Sequence, residues 1–250
     1  MRRTTHFLIA SIFIAGCVRA EAQGNAPPKW ADTLSSEIDQ AQLSGDVARL
    51  DASVAMASRI AMAYQNDGLI QHYHGYAIYR RAIVLMATGG NAFSMFEQAQ
   101  SILERSLKTR PLAETHMLLS SIAGQLIAKD PSRAMELGIA SGAMTNAALA
   151  AGPSNPRVWL LRGQGAIFTP KEYGGGLSVA EEHLKRAIEL FAKDSPKPGE
   201  PSWGKPEAYA WLGQVYEKQG NKTKAAELYK TAIDLAPKYS YARMLSAALK

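Results

Sequence analysis

A single cysteine, Cys17, occurs in 250 residues. No disulfide can form within the chain, so whatever fold it adopts must be held by packing alone. Aromatic residues are also scarce, at 8 percent against 47 percent hydrophobic overall, which points to alanine-rich helices packed closely. The signatures of catalysis are missing too. There is no nucleophile elbow, Walker loop, dinucleotide fingerprint or zinc-ligand spacing. The triple glycine Gly174 to Gly176 lacks the following lysine and the preceding strand of a phosphate cradle. His72 and His74 stand two apart on a predicted helix, so they face different ways and cannot share a metal as an i, i+4 pair could. His116 takes the place of a packing aromatic and His183 lies on a polar helical face, so no catalytic residue, metal or cofactor is expected.

What the chain does have is a spaced pattern. Tyr209, Leu212, Gly213, Tyr216, Gly220, Ala225, Tyr229, Ala232 and Pro237 put small and large apolar residues on one face each of two short helices joined by a turn at Gly220 and Asn221. Gly213 and Ala225 are small enough for the helices to approach to roughly 8 to 10 Å. Pro237 ends the second helix, because it can neither donate the backbone hydrogen bond nor avoid the preceding turn. The interval from Ala225 to Pro237 returns from Ala99 to Pro111, with Leu103 and Ser106 between, and again through Ser141, Thr145, Ala148 and Pro153. Trp159 and Gly163, then Ala180, Leu184 and Ala187, mark another pair. Trp30 to Gln42 and Asp46 to Tyr64 read as a degenerate first pair, and Tyr239 to Leu249 as a short closing helix. No convincing strand is present, and about eleven helices are expected.

This pattern resembles the tetratricopeptide repeat, a helical hairpin of about 34 residues that buries its apolar face by stacking on copies of itself. With Leu118 to Ser121 (LLSS), Asn155 to Gly163 (NPRVWLLRG) and the loop Thr169 to Gly176 (TPKEYGGG), it is similar to a family of exported bacterial tetratricopeptide proteins. The resemblance implies an all-α solenoid of about five hairpins with a C-terminal capping helix, spanning residues 30–250. In the loop, the glycines are expected to take positive φ and Tyr173 to pack back on the array.

The N-terminus bears on location. Arg2 and Arg3 precede an apolar run from Phe7 to Gly16 that is too short to span a bilayer and is laid out as a secretory signal. Ala20 to Ala22 offers ordinary cleavage, making residues 1–22 the signal. Ile14 to Cys17 resembles the lipobox of bacterial lipoproteins, which would make it residues 1–16 and lipidate Cys17. Several acyl chains would then anchor the chain, on the outer membrane by resemblance to Gram-negative sorting, since Val18 follows the cysteine. Residues 23–29 read as a tether. From Gln23 onward 25 basic residues face 21 acidic ones, a net +4. So mild an excess, with lysines interleaved among glutamates, is not a nucleic-acid footprint.

Residues two, five, nine, twelve and thirteen of a tetratricopeptide unit line its concave groove. Carried over by resemblance, the candidate lining is Glu114, Met117, Ser121 and Gln125 in one unit, Arg157, Leu160, Gln164 and Phe168 in the next, and Gln214 and Lys218 in the last. The dense Lys, Arg and Asn cluster that clamps a terminal carboxylate in some relatives is lacking. The expectation is therefore a non-catalytic scaffold or adaptor of the bacterial envelope, in the periplasm or on the outer membrane, binding an extended or helical segment of another envelope protein. The alternative is a transporter-associated carrier that encloses a small molecule between helices, in a sealed cavity lined by Tyr73, Tyr76 and Trp159.

Overall fold

A computed structural model describes residues 26–249. Cys17, both processing sites and the start of the tether lie outside them. Eleven α-helices follow one another among the described residues: α1 (Pro28–Ser44), α2 (Val47–Ala63), α3 (Gly68–Ala87), α4 (Phe93–Thr109), α5 (Ala113–Lys129), α6 (Ala134–Ala151), α7 (Pro156–Phe168), α8 (Leu177–Phe191), α9 (Lys205–Lys218), α10 (Lys222–Leu235) and α11 (Ser240–Ala248). They pair as five successive antiparallel hairpins with α11 over the end. No helix of the described residues is long and apolar enough to cross a membrane.

Local chemistry sets the boundaries. Asp46, Asp67, Asn155 and Asn221 accept from backbone N–H groups in the first turns of α2, α3, α7 and α10, satisfying donors that a helix start leaves orphaned. Within hairpins the repeat spacing becomes contact. Ala99, Leu103 and Ser106 in α4, Ala180, Leu184 and Ala187 in α8, and Ala225, Tyr229 and Ala232 in α10 are all fully buried. The first helices meet them with a small residue. A Cβ on Gly75, Gly163 or Gly213 would lie 2.5 or 2.6 Å from Leu103, Leu184 or Tyr229 respectively, closer than carbon atoms pack. In α5 the equivalent position is Ser120, whose hydroxyl instead bonds Ser141 and Thr145 at 2.9 and 3.0 Å. This hairpin therefore lacks the glycine found in α3, α7 and α9.

First helices touch the next first helix along the array, whereas second helices do not touch one another. The array therefore curves toward its first helices. Curvature goes far enough for α1 to contact α11 at the other end, where Leu43 packs on a cluster formed by Ala210, Ala232, Tyr239 and Ala242.

Candidate partner-binding face

The inner face is made by α1, α3, α5, α7, α9 and α11, and it has two halves. Across α1, α3, α7 and the start of α9 lies a segment that belongs to no helix, residues 192–204 between α8 and α9. Its prolines, Pro196, Pro198 and Pro201, prevent it from continuing α8. Asp194 accepts two bonds from Arg157 of α7, at 3.3 and 2.6 Å. Lys197 to Glu200 then form a turn closed by a 2.9 Å bond, with Gly199 at φ 80° in the place where a type II turn needs a positive φ. The tip of this turn is gripped by its backbone. Tyr73 of α3 donates to the Gly199 carbonyl at 2.9 Å, and the Gly199 N–H donates to Asp32 of α1 at 2.6 Å. Arg110 reaches Glu200 at 3.4 Å.

Beyond the tip, Trp203 stacks on Tyr76 with ring centres 5.1 Å apart. The Arg80 guanidinium lies 5.0 Å from the Trp203 ring and 4.9 Å from that of Tyr76. Arg80 also makes a bidentate pair with Glu207 at the start of α9, at 2.8 and 2.7 Å, with both side chains about one-twentieth exposed. Each ion compensates the other's lost hydration, so removing one would strand a buried charge. Tyr76 donates at 3.0 Å to Asp39 of α1. Burial pushes this half-buried carboxyl up to about 7, against the pull of the Arg80 cation.

The candidate lining sorts by its place along each helix. Glu114, Met117, Arg157 and Leu160, in the N-terminal halves, are buried. Glu114 accepts from the Asn155 side chain at 2.7 Å, and Leu160 lies under Gly204, where any Cβ would meet it at 2.7 Å. Ser121, Gln125, Gln164 and Gln214, nearer the C-terminal ends, are half-buried, while Phe168 and Lys218 are exposed. Arg157 therefore braces the strap and is not free to probe a partner. Tyr73 and Tyr76 are filled over by the strap, and Trp159 sits apart from them, donating to the Pro153 carbonyl at 2.8 Å.

The open half carries a strip that the sequence only half disclosed. Phe168 of α7, 71 percent exposed, meets Trp211 of α9 edge to face at 6.3 Å, and Trp211 meets Tyr241 of α11 at 5.7 Å. Gln214 donates to the Tyr241 hydroxyl at 2.7 Å. Five residues after Phe168, Tyr173 is 78 percent exposed. The loop that carries it folds on itself, with Gly176 donating to the Ala166 carbonyl at 2.8 Å and Gly174 and Gly176 at φ 81° and 101°. Positive φ at two of the three glycines agrees with the sequence reading, but Gly175 does not take it and Tyr173 does not pack back on the array. Charge is uneven as well. Basic and acidic residues balance at 17 each from 26 to 204, while residues 205–250 hold eight basic against four acidic.

Four histidines lie among the described residues. Burial holds His72 down at about 3 and His74 at about 4, and lowers His116 and His183. His72 bonds Thr115 at 2.8 Å. The described residues contain no cluster of three or more His, Cys, Asp or Glu placed for a metal.

The tetratricopeptide repeat model matches residues 206–239. This is a tetratricopeptide-repeat fold. The HusA haemophore from Porphyromonas gingivalis is similar in structure, with 24 percent identity, TM-score 0.63, and coverage of 79 percent of this chain and 96 percent of that one. So is a thermophilic tetratricopeptide protein from Thermus thermophilus, with 19 percent identity, TM-score 0.59, and coverage of 89 and 98 percent. No curated protein matches the sequence. The likenesses establish the all-α solenoid. Such folds are typically non-catalytic and serve as platforms for proteins or peptides.

Proposed function

We propose that the protein is a non-catalytic interaction scaffold of the bacterial cell envelope that takes a segment of a partner protein on the open half of its inner face. The observation that carries this reading is the aromatic ladder Phe168–Trp211–Tyr241 across α7, α9 and α11, with Phe168 mostly in water and the other two rings half-buried. Large rings presented on rigid helices offer contact area at small entropic cost and are enriched among binding hot spots. Tyr173 and Lys218 are exposed as well, and the basic last unit favours a segment with acidic residues beside its apolar ones. Export is supported by Arg2, Arg3 and the apolar run that follows, and membrane anchoring by the position of Cys17 at its end.

A photo-crosslinking residue placed at 211, compared with one at 139 on the outer surface of α6, tests the surface. A discrete adduct from 211 that disappears with Phe168→Ala supports it, and equal labelling from both positions refutes it. Labelling with a lipid precursor, lost in Cys17→Ala, tests the anchor.

The carrier reading draws on one specific observation. A structural neighbour is a haemophore, and exposed ring faces are what a flat apolar ligand needs for stacking. The strip, not a sealed cavity at Tyr73 and Tyr76, would be its place. Titration with haem followed by absorbance decides it, since saturable binding lost on Trp211→Ala is required.

A further inference from the structure

The strap that closes half of the inner face is held as a bound peptide would be. Its backbone is read from both sides at Gly199, by the Tyr73 hydroxyl and the Asp32 carboxylate. Its acidic residues meet cations: Asp194 meets Arg157, Glu200 meets Arg110, and Glu207 just beyond it meets Arg80. Its one aromatic side chain, Trp203, is 3 percent exposed and sandwiched with Tyr76 and Arg80. These contacts join residues 37 to 167 positions apart in the chain, so the strap is not a local turn. Its prolines narrow the conformations open to it before it binds, as suits a ligand that must lose little entropy.

Helix-to-helix stacking does not require it. α8 and α9 pack directly on each other, and the connections between other hairpins are much shorter, such as residues 110–112 between α4 and α5. A connection of 13 residues without secondary structure inside a compact domain commonly has a role of its own.

We propose that residues 194–204 are a built-in ligand of the N-terminal half of the inner face, and that the same half accepts in trans a protein segment of matching chemistry. That segment is proline-spaced and acidic, turns at a glycine and carries one tryptophan, and it binds only when the strap is displaced. The tethered strap competes at an effective concentration on the order of millimolar, so the resting chain is closed to all but strong competitors. This site is distinct from the aromatic strip.

The probe is the synthetic peptide of residues 194–204 carrying a fluorophore. A chain in which residues 195–203 are replaced by glycine and serine at equal length is expected to keep its helical circular dichroism and to bind the peptide at least about tenfold more tightly than the native chain does. Adding Tyr73→Phe and Asp32→Ala should remove that gain, while Phe168→Ala should not. A folded replacement chain that binds the peptide no better than the native one overturns the proposal. Should the replacement chain fail to fold, Trp203→Ala in the full chain decides. It must bind the native peptide, and must bind a peptide with the same Trp203→Ala change at least about tenfold less well. No gain over the native chain refutes the built-in ligand.

Discussion

The two halves of the inner face are built on the same helices yet present opposite chemistry. In the closed half, three arginines, two tyrosines and three aspartates are consumed by contacts within the chain. In the open half, Gln214 and Tyr241 share one hydrogen bond, while Phe168 and Tyr173 stand mostly in water. Buried charge that is fully paired shapes the fold, whereas apolar surface left in water is what association removes. The difference therefore separates residues whose loss should unfold the protein from those whose loss should only silence it.

Breaking the closed half should have the largest effect. Glu207→Ala strands the Arg80 cation beneath Trp203, and a loss of about 3 to 5 kcal/mol is expected in urea unfolding. Replacing both partners, Arg80→Met with Glu207→Leu, should cost far less; equal losses for the single and double changes would show that the pair is not what holds α9 to α3. Next comes the hairpin seam shared by both halves. Ala225→Leu places extra volume where Ala225 is fully buried beside Gly213, and should cost about 1 to 3 kcal/mol by thermal melting. On the open half, Phe168→Ala should leave stability within about 0.5 kcal/mol of the native chain while reducing partner crosslinking from position 211. A melting temperature that drops as far as for Ala225→Leu would place Phe168 in the core instead.

The smallest effect is a pH dependence confined to the closed half. The Asp39 carboxyl is raised from 3.8 to about 7 by burial, so the folded state holds this proton more tightly than the unfolded one. Its contribution to stability is full below about pH 4 and is lost as pH rises through 7. Asp39→Asn should be at least as stable as the native chain at pH 8, with the advantage shrinking as the pH is lowered toward 4. Because Asp39 keeps some access to solvent, the change is smaller than full burial would give. His72 and His74 act in the opposite sense. Their lowered values make stability fall as pH drops below 6.5, and parallel melts of Asp39→Asn separate the two trends.

Much of the architecture could be read before any coordinates, because repeat packing is local and periodic. The small residue of each first helix and the alanines of each second helix stand at fixed offsets, so Gly213 with Ala225 and Gly163 with Ala180 declared their hairpins. In α5 Ser120 answers with a hydroxyl pair instead of a close approach, and Ser141, Thr145, Ala148 and Pro153 marked that hairpin from its second helix. Along the inner face, helical position named the right side of the helices but could not say what covers them. Arg80 and Glu207 are 127 residues apart, and no spacing rule links them. A signal was present: three prolines and two glycines between Asp194 and Gly204, in a connection too long for a repeat turn. Trp211, the sixth residue of its unit, is not at an expected lining position, and Tyr241 lies on a helix read as a cap and not as a unit; they meet only when α9 and α11 stack.

The most direct test of the division is hydroxyl-radical footprinting of the folded chain, read residue by residue by mass spectrometry. The structure predicts rapid oxidation of Phe168, Tyr173 and Trp211 together with protection of Tyr73, Tyr76 and Trp203. Oxidation of Trp203 as fast as that of Trp211, in a chain that retains its helical signal, would contradict the closed half and with it the account of how this face is organised.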